Sequence, residues 1–359
     1  MKPICFVLSM LITAIATSSC HKSSGVKVSA LEKGSRHLGV HIIPAQNQGY
    51  DTAFARARLA GIDCVPLTIQ WTEIEKDGSY DPQSLLDNLN GFYGSQRVSF
   101  SLCISPTAAN RKDVPSDLGA LSFSDPAMID RFNKLLDTVH AHLTSINMRY
   151  LLIGNEVDIY FSEHPAELAA YTNFCGAVRV HAKSLWGDQL MVGAETSMGS
   201  LEGADITKID SLHAAMDMVC LTYYPLNNDF TMRAVSGVRS DIEQVLSKHR
   251  GEKILFQEVG YATSPACSGS ENAQADFVRE IFNIWDDHSD QVVYVAFLWL
   301  NDLSDEQTKA VTTFYELTGT SVEKTFTAFI SSLGLCNQLG VYKPGFLTLL
   351  QQSALRGWK

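Results

Sequence analysis

From about residue 37 the chain alternates short apolar runs with longer stretches of helical period. The apolar runs are Leu38–Ile43, Cys64–Gln70, Val98–Ile104, Tyr150–Ile153, Leu190–Ala194, Met218–Tyr224, Ile254–Gln257 and Val292–Trp299. Between and after them lie Ala53–Ala60, Ser84–Phe92, Pro126–Ile146, Ala166–Trp186, Ile206–Met216, Ile242–His249, Ala273–His288 and Pro344–Leu355, whose apolar positions recur every three or four residues. Strands that alternate with helices predict a parallel sheet. Each run is almost wholly apolar, as expected when both faces are buried. Eight such units predict an α/β chain folded as a single (β/α)8 TIM barrel. An open doubly wound sheet is the competing fold, but the first strand–helix turn, Pro44-Ala45-Gln46-Asn47-Gln48, lacks the glycines that its phosphate site uses.

Composition narrows the field. The chain has 359 residues, of which 45% are hydrophobic and 19% charged, a globular balance that excludes a disordered chain. Its formal net charge is −11, which disfavours nucleic acid or an anionic membrane surface as a partner and suits a neutral ligand.

The N-terminus reads as an address. Lys2, an apolar stretch from Ile4 to Ala16, and Thr17-Ser18-Ser19 before Cys20 make a secretory signal. Small residues directly before a cysteine resemble the lipobox of bacterial lipoproteins, although Thr17 stands where that motif usually has Leu. The expected organisation is a lipoprotein-type signal over 1–19, a flexible tether over 20–36 and a catalytic barrel over 37–359. Lipidation at Cys20 would hold the protein in the cell envelope, periplasmic or on the outer surface, touching the membrane only through its anchor. Cys64, Cys103 and Cys220 lie in apolar runs and read as buried hydrophobes. Cys267 and Cys336 lie in loop-like segments, and sequence leaves a disulfide between them open.

In such a barrel, chemistry gathers where the strands end at their C-terminal side. The fourth run closes Ile153-Gly154-Asn155-Glu156, and the seventh closes Phe256-Gln257-Glu258. Two carboxyls on opposite sides of the mouth meet the requirement of glycoside hydrolysis, in which one protonates the leaving oxygen and the other attacks or activates water. No G-x-S-x-G, Walker A or H-E-x-x-H pattern competes, and no cofactor or metal is expected.

Asn155-Glu156 and Glu258 resemble the paired motifs of clan A, the retaining glycoside hydrolases with barrel folds that act mostly on β-linked glycans. Further stretches are similar in barrel order: Trp71-Thr72-Glu73-Ile74-Glu75 with Gly78-Ser79-Tyr80-Asp81, Leu221-Thr222-Tyr223-Tyr224-Pro225, Phe297-Leu298-Trp299, and Tyr342-Lys343-Pro344. The chain departs from relatives in having Gln70 or Trp71 where some carry Arg, and Thr222 where others carry Asn. The resemblance implies that Glu156 is the acid/base and Glu258 the nucleophile, that Asn155 binds the hydroxyl beside the anomeric carbon, and that the substrate is an oligo- or polysaccharide.

For the binding surface, Tyr224 is expected to donate to Glu258, because strand alternation puts it on the face of Thr222 and Cys220. Tyr223 is carried as a second candidate, with a helix-facing core position as its alternative. Trp299 is expected to floor a sugar ring, and Trp71 is a further aromatic of that kind; each has a plain core role as its alternative. His41 is expected to line the pocket or to be a buried structural histidine. The competing class is a non-catalytic, lipid-anchored glycan-binding protein on a degenerate barrel. The segment 301–340 is long enough to hold an extra helix over the mouth.

Overall fold

The computed structural model describes residues 30–80, 84–201 and 206–358. Cys20, the signal and most of the tether lie outside the described residues, as does Asp81. Among the described residues, eight parallel strands form the wall: β1 (His37–Val40), β2 (Cys64–Gln70), β3 (Ser99–Ser105), β4 (Asn147–Ile153), β5 (Met191–Gly193, resuming as Glu195–Ser197), β6 (Val219–Tyr223), β7 (Ile254–Val259) and β8 (Val292–Phe297). The principal helices outside them are α1 (Tyr50–Leu59), α2 (Leu85–Tyr93), α3 (Pro126–His142), α4 (Leu168–Trp186), α5 (Ile206–Ala214), α6 (Val238–Lys248), α7 (Glu271–Asp287) and α8 (Pro344–Leu355). The chain is a (β/α)8 barrel. None of the described helices is long and apolar enough to cross a membrane.

The ladder runs in two arcs that share β5. Its first half pairs with β4 and its second half with β6. The arcs meet again between β1 and β2, where Asp63 fastens the seam. Its N–H donates to Leu38 O at 3.0 Å and its Oδ1 accepts from Leu38 N at 2.9 Å. A side-chain oxygen thus takes the place of a ladder carbonyl.

Strand sequences explain the two cores. β3 reads SFSLCIS and is buried throughout. Phe100, Leu102 and Ile104 belong to the large cluster between strands and helices, whereas Cys103 belongs to a small inner one with Cys64, Tyr150, Leu152, Met218, Cys220, Leu255, Tyr294 and Ala296. Along β3, period-two alternation therefore sends Phe100, Leu102 and Ile104 outward and the smaller Ser101 and Cys103 inward. Gly39 illustrates how tight the inner layer is, since a Cβ there would lie 2.2 Å from Tyr294 Oη.

Caps mark helix starts. Asp125 accepts from Ala127 N ahead of Pro126, and Ser270 accepts from Ala273 N. β1 and β8 stop two or three residues short of their apolar runs, because at the rim the chain turns away: His41 N still bonds Phe297 O, and Leu300 N then bonds His41 O. Cys267 and Cys336 are both buried and unbridged. The segment after β8 holds two helices, Asp305–Phe314 and Glu323–Ile330.

Candidate active site

The last turn of β4 is sharply bent. Gly154 takes φ +93, and a Cβ there would lie 2.3 Å from Val157 Cγ1 and 2.4 Å from Tyr171 Oη. Glu156 follows with φ 43 and ψ 46, a left-handed conformation that a glutamate adopts at a cost. That bend brings its side chain over the barrel. Thr222 Oγ1 donates to Glu156 Oε1 at 2.7 Å, and Tyr315 Oη donates to Oε2 at 3.0 Å.

Glu258 arrives by a different device. Leu221 pairs with Phe256 but Thr222 pairs with Glu258, and on the other side Val295 and Phe297 pair with Phe256 and Val259. β7 therefore carries one extra residue, a β-bulge. The bulge lets two successive side chains, Gln257 and Glu258, reach inward. Gln257 is fully buried and accepts from Ser101 Oγ of β3 at 2.6 Å, across the barrel. Glu258 lies above it and accepts from Tyr224 Oη at 2.6 Å. Thr222, the Cα partner of Glu258, is the donor to Glu156, so one residue ties the two carboxyls into a single site.

The electrostatics follow from burial without cations. Desolvation first, and then the charge of Glu258, push Glu156 up to about 7. Burial pushes Glu258 up to about 6, against the stabilising bond from Tyr224. A third carboxyl stands beneath them. Glu195 of β5 is fully buried, and both its oxygens lack a hydrogen-bond partner. Desolvation first, and then the nearby Glu258 and Glu156, hold it well above the ordinary carboxyl value, which favours its protonated form. Asp158 makes a fourth, raised to about 6 mainly by burial, with Ser197 N and Oγ donating at 2.8 and 2.6 Å.

No family model matches the chain, and no curated protein resembles it in sequence. Solved structures do resemble it. An exo-beta-1,4-mannosidase from Opitutaceae bacterium strain TAV5 superposes with a TM-score of 0.63 at 16% identity, over 91% of this chain and 61% of its own. A family 39 glycoside hydrolase from Bacteroides cellulosilyticus WH2 gives 0.61 at 12% identity, over 90% and 65%. A GH5_18 protein from Streptomyces cattleya gives 0.63 at 14% identity, over 92% and 81%. The chain shares the barrel fold of these glycoside hydrolases. The chain spans under two thirds of the first two proteins, and at these identities the likeness is one of fold.

On that barrel the remaining candidates separate. Asn155 lies between the bend and the mouth, half-buried; its N–H donates to Ser105 Oγ at 3.1 Å, and among the described residues its side-chain amide has no protein partner. Trp299 is half-buried at the end of β8. His41 reaches past β8 to place Nε2 2.9 Å from Gln257 O, and burial lowers its pKa to about 4, so the ring is neutral.

Two candidates are corrected. Trp71 is fully buried: its Nε1 donates to Glu75 at 2.7 Å and its ring meets Phe132 edge-on. The Trp71–Glu75–Gly78 pattern is thus a structural staple, since Gly78 N also donates to Glu75. Tyr223 points outward and donates to Asp241 Oδ2 of α6 at 2.7 Å, the fate of an odd position on an alternating strand.

Sequence reasoning overlooked Tyr315, Glu195 and Asp158. Glu195 carried the same signal as Glu156, a carboxylate directly after an apolar run. Tyr315 carried none, because its place depends on the path of a long connection.

Proposed function

We propose that the chain is a retaining glycoside hydrolase that cleaves β-linked glycans by double displacement. The observation that carries this reading is the junction at Thr222, which bonds Glu156 while pairing in register with Glu258. The fold shared with glycoside hydrolases supports it.

Glu258 is the nucleophile. Its carboxylate attacks the anomeric carbon as the bond to the leaving oxygen breaks, giving a covalent glycosyl-enzyme. Tyr224 keeps it ionised enough to attack. Glu156, protonated at first, gives its proton to the leaving oxygen. Once Glu258 is esterified its charge is gone, and the second-largest cause of the raised Glu156 pKa goes with it. Glu156 then ionises more readily and takes a proton from the water that releases the sugar. Asn155, whose side-chain amide has no partner among the described residues, offers it to the hydroxyl beside the anomeric carbon, and Trp299 offers its ring to the sugar's C–H face. No cofactor is needed for this chemistry. Cys20 is the lipid-bearing residue in this reading, holding the enzyme in the bacterial cell envelope.

A screen of chromogenic β-glycosides and β-glycans, with Glu258→Ala as the blank, tests the reading. The expected result is release of reducing ends by the parent alone. Binding of a glycan without release would favour a glycan-binding protein instead.

A further inference from the structure

The segment between β8 and α8 crosses the barrel mouth. It leaves the wall after Phe297 and rejoins it where Leu335 N donates to Trp299 O at 2.9 Å and Cys336 N to Leu300 O at 2.9 Å. Its far point is Tyr315-Glu316. Tyr315 rests on Glu156 at the end of β4, half-way round the ring from β8. Glu316 Oε2 accepts from Asn110 Nδ2 at 3.2 Å, and Oε1 lies 3.8 Å from Arg111 Nη1, in the hairpin that follows β3. The Arg111 guanidinium lies over Phe314, 5.5 Å from its centroid.

The second helix of the segment fills one flank. Phe329 meets Tyr224 edge-on at 5.5 Å, and Phe326 meets Phe230 of the β6 loop at 4.9 Å. Ser332 Oγ accepts from Thr263 N and Ser264 N of the β7 loop at 3.2 and 3.0 Å. The rim from β8 through β7 and β6 is therefore walled, and a strap closes the line from β8 to β4. Toward β1 the same segment bonds only the outer loop, where Asn301 Nδ2 donates to Ile43 O at 2.6 Å and Gln46 N donates to Gln338 O at 2.8 Å, and His41 and Gln70 stay half-buried at the strand ends.

A glycan cut at an internal bond must leave the carboxyl pair in two directions. Among the described residues, the strap from β8 to β4 stands across one of them. We propose that the strap makes the site a one-sided pocket, so that the enzyme removes the terminal unit of a β-linked glycan rather than cutting within the chain. The proposal rests on the hydrolase reading above.

A panel of 4-nitrophenyl β-glycosides identifies the accepted sugar, and reducing-end-labelled β-linked oligosaccharides of that sugar then report the cutting pattern. The expected early products are chains shortened by one step from a single end, with the viscosity of the parent polysaccharide almost unchanged. Labelled fragments of every length and an early fall in viscosity, beside a hydrolysed aryl glycoside, would overturn the strap proposal and leave the hydrolase reading intact. Hydrolysis of neither class would overturn both. In a variant with 305–330 replaced by a short Gly/Ser link, internal cuts should rise about tenfold relative to terminal ones. If that variant does not fold, Phe326→Ala, which loosens the strap and keeps Tyr315, provides the same ratio. An unchanged ratio in the folded variant overturns the proposal.

Discussion

The two ends of the barrel treat buried charge in opposite ways. At the N-terminal end, Asp286 lies between two arginines: Arg36 Nη1 at 2.8 Å and Arg356 Nη2 at 2.7 Å, with all three side chains at most 6% exposed. The Arg36 guanidinium also stands over Trp285 and Trp358, 5.2 and 5.3 Å from their centroids. At the C-terminal end, Glu156, Glu258, Glu195 and Asp158 share one region, and among the described residues no cation offsets any of them. Glu156, Glu258 and Asp158 accept from hydroxyls, Asp158 also from Ser197 N, and Glu195 has no partner among the described residues. The first arrangement stabilises a fold. The second leaves carboxyls whose protonation changes near neutral pH, which is what acid/base work requires and what packing would avoid.

The sharpest break in that contrast is chemical. Glu258→Ala should lower turnover by about 10⁴–10⁶, and Glu156→Gln by roughly 10²–10⁴, most for poor leaving groups, while thermal melts change little. Near-parent rates in either variant would remove the mechanism. Arg36→Ala should do the reverse. It leaves Asp286 buried with one partner fewer and should cost about 3–5 kcal/mol in denaturant unfolding, with kcat unchanged.

Tyr224→Phe probes the C-terminal end more gently. Losing a hydrogen bond to a charged group costs about 1.5–3 kcal/mol, so kcat/KM should fall roughly 10- to 100-fold. The acid limb of its pH profile should move to higher pH, since the donor that lowers the Glu258 pKa is gone. A limb that stays put would assign Tyr224 to packing.

Glu195→Gln gives the smallest effect and the most specific sign. The folded-state pKa of Glu195 is raised, so its favourable contribution is full below the unfolded value near 4.5 and is lost as pH rises. The variant should melt a few degrees above the parent at pH 8 and level with it at pH 4. Equal melting at both would mean that Glu195 is not held neutral.

Much of the fold could be read from the chain. The apolar runs marked all eight strands, and Cys64–Gln70 and Pro344–Leu355 match the observed β2 and α8 at both ends. Reading the residue that ends a run singled out Glu156 and Glu258, which the structure brings together. Alternation separated Tyr224 from Tyr223, one facing the mouth and the other α6. Other features were not legible locally. Trp71 sits at a strand end like Trp299, yet a partner four residues on, Glu75, draws it into the core. The bulge in β7 is invisible in a run of apolar letters. Tyr315 is placed by a connection that must cross the whole mouth before it means anything.

Gln257 has a meaning beyond its bond to Ser101. It is the additional letter in β7: it and Glu258 both stand between outward-facing Phe256 and Val259. Loss of its single codon would restore a plain period of two and leave the glutamate next to Phe256, still opposite Thr222 and still facing in. What would go is the amide that takes the Ser101 hydroxyl beneath the carboxyl pair. A relative with an alignment gap at this position keeps both acids, so the gap alone does not mark a silent homologue; replacement of Glu156 or Glu258 does.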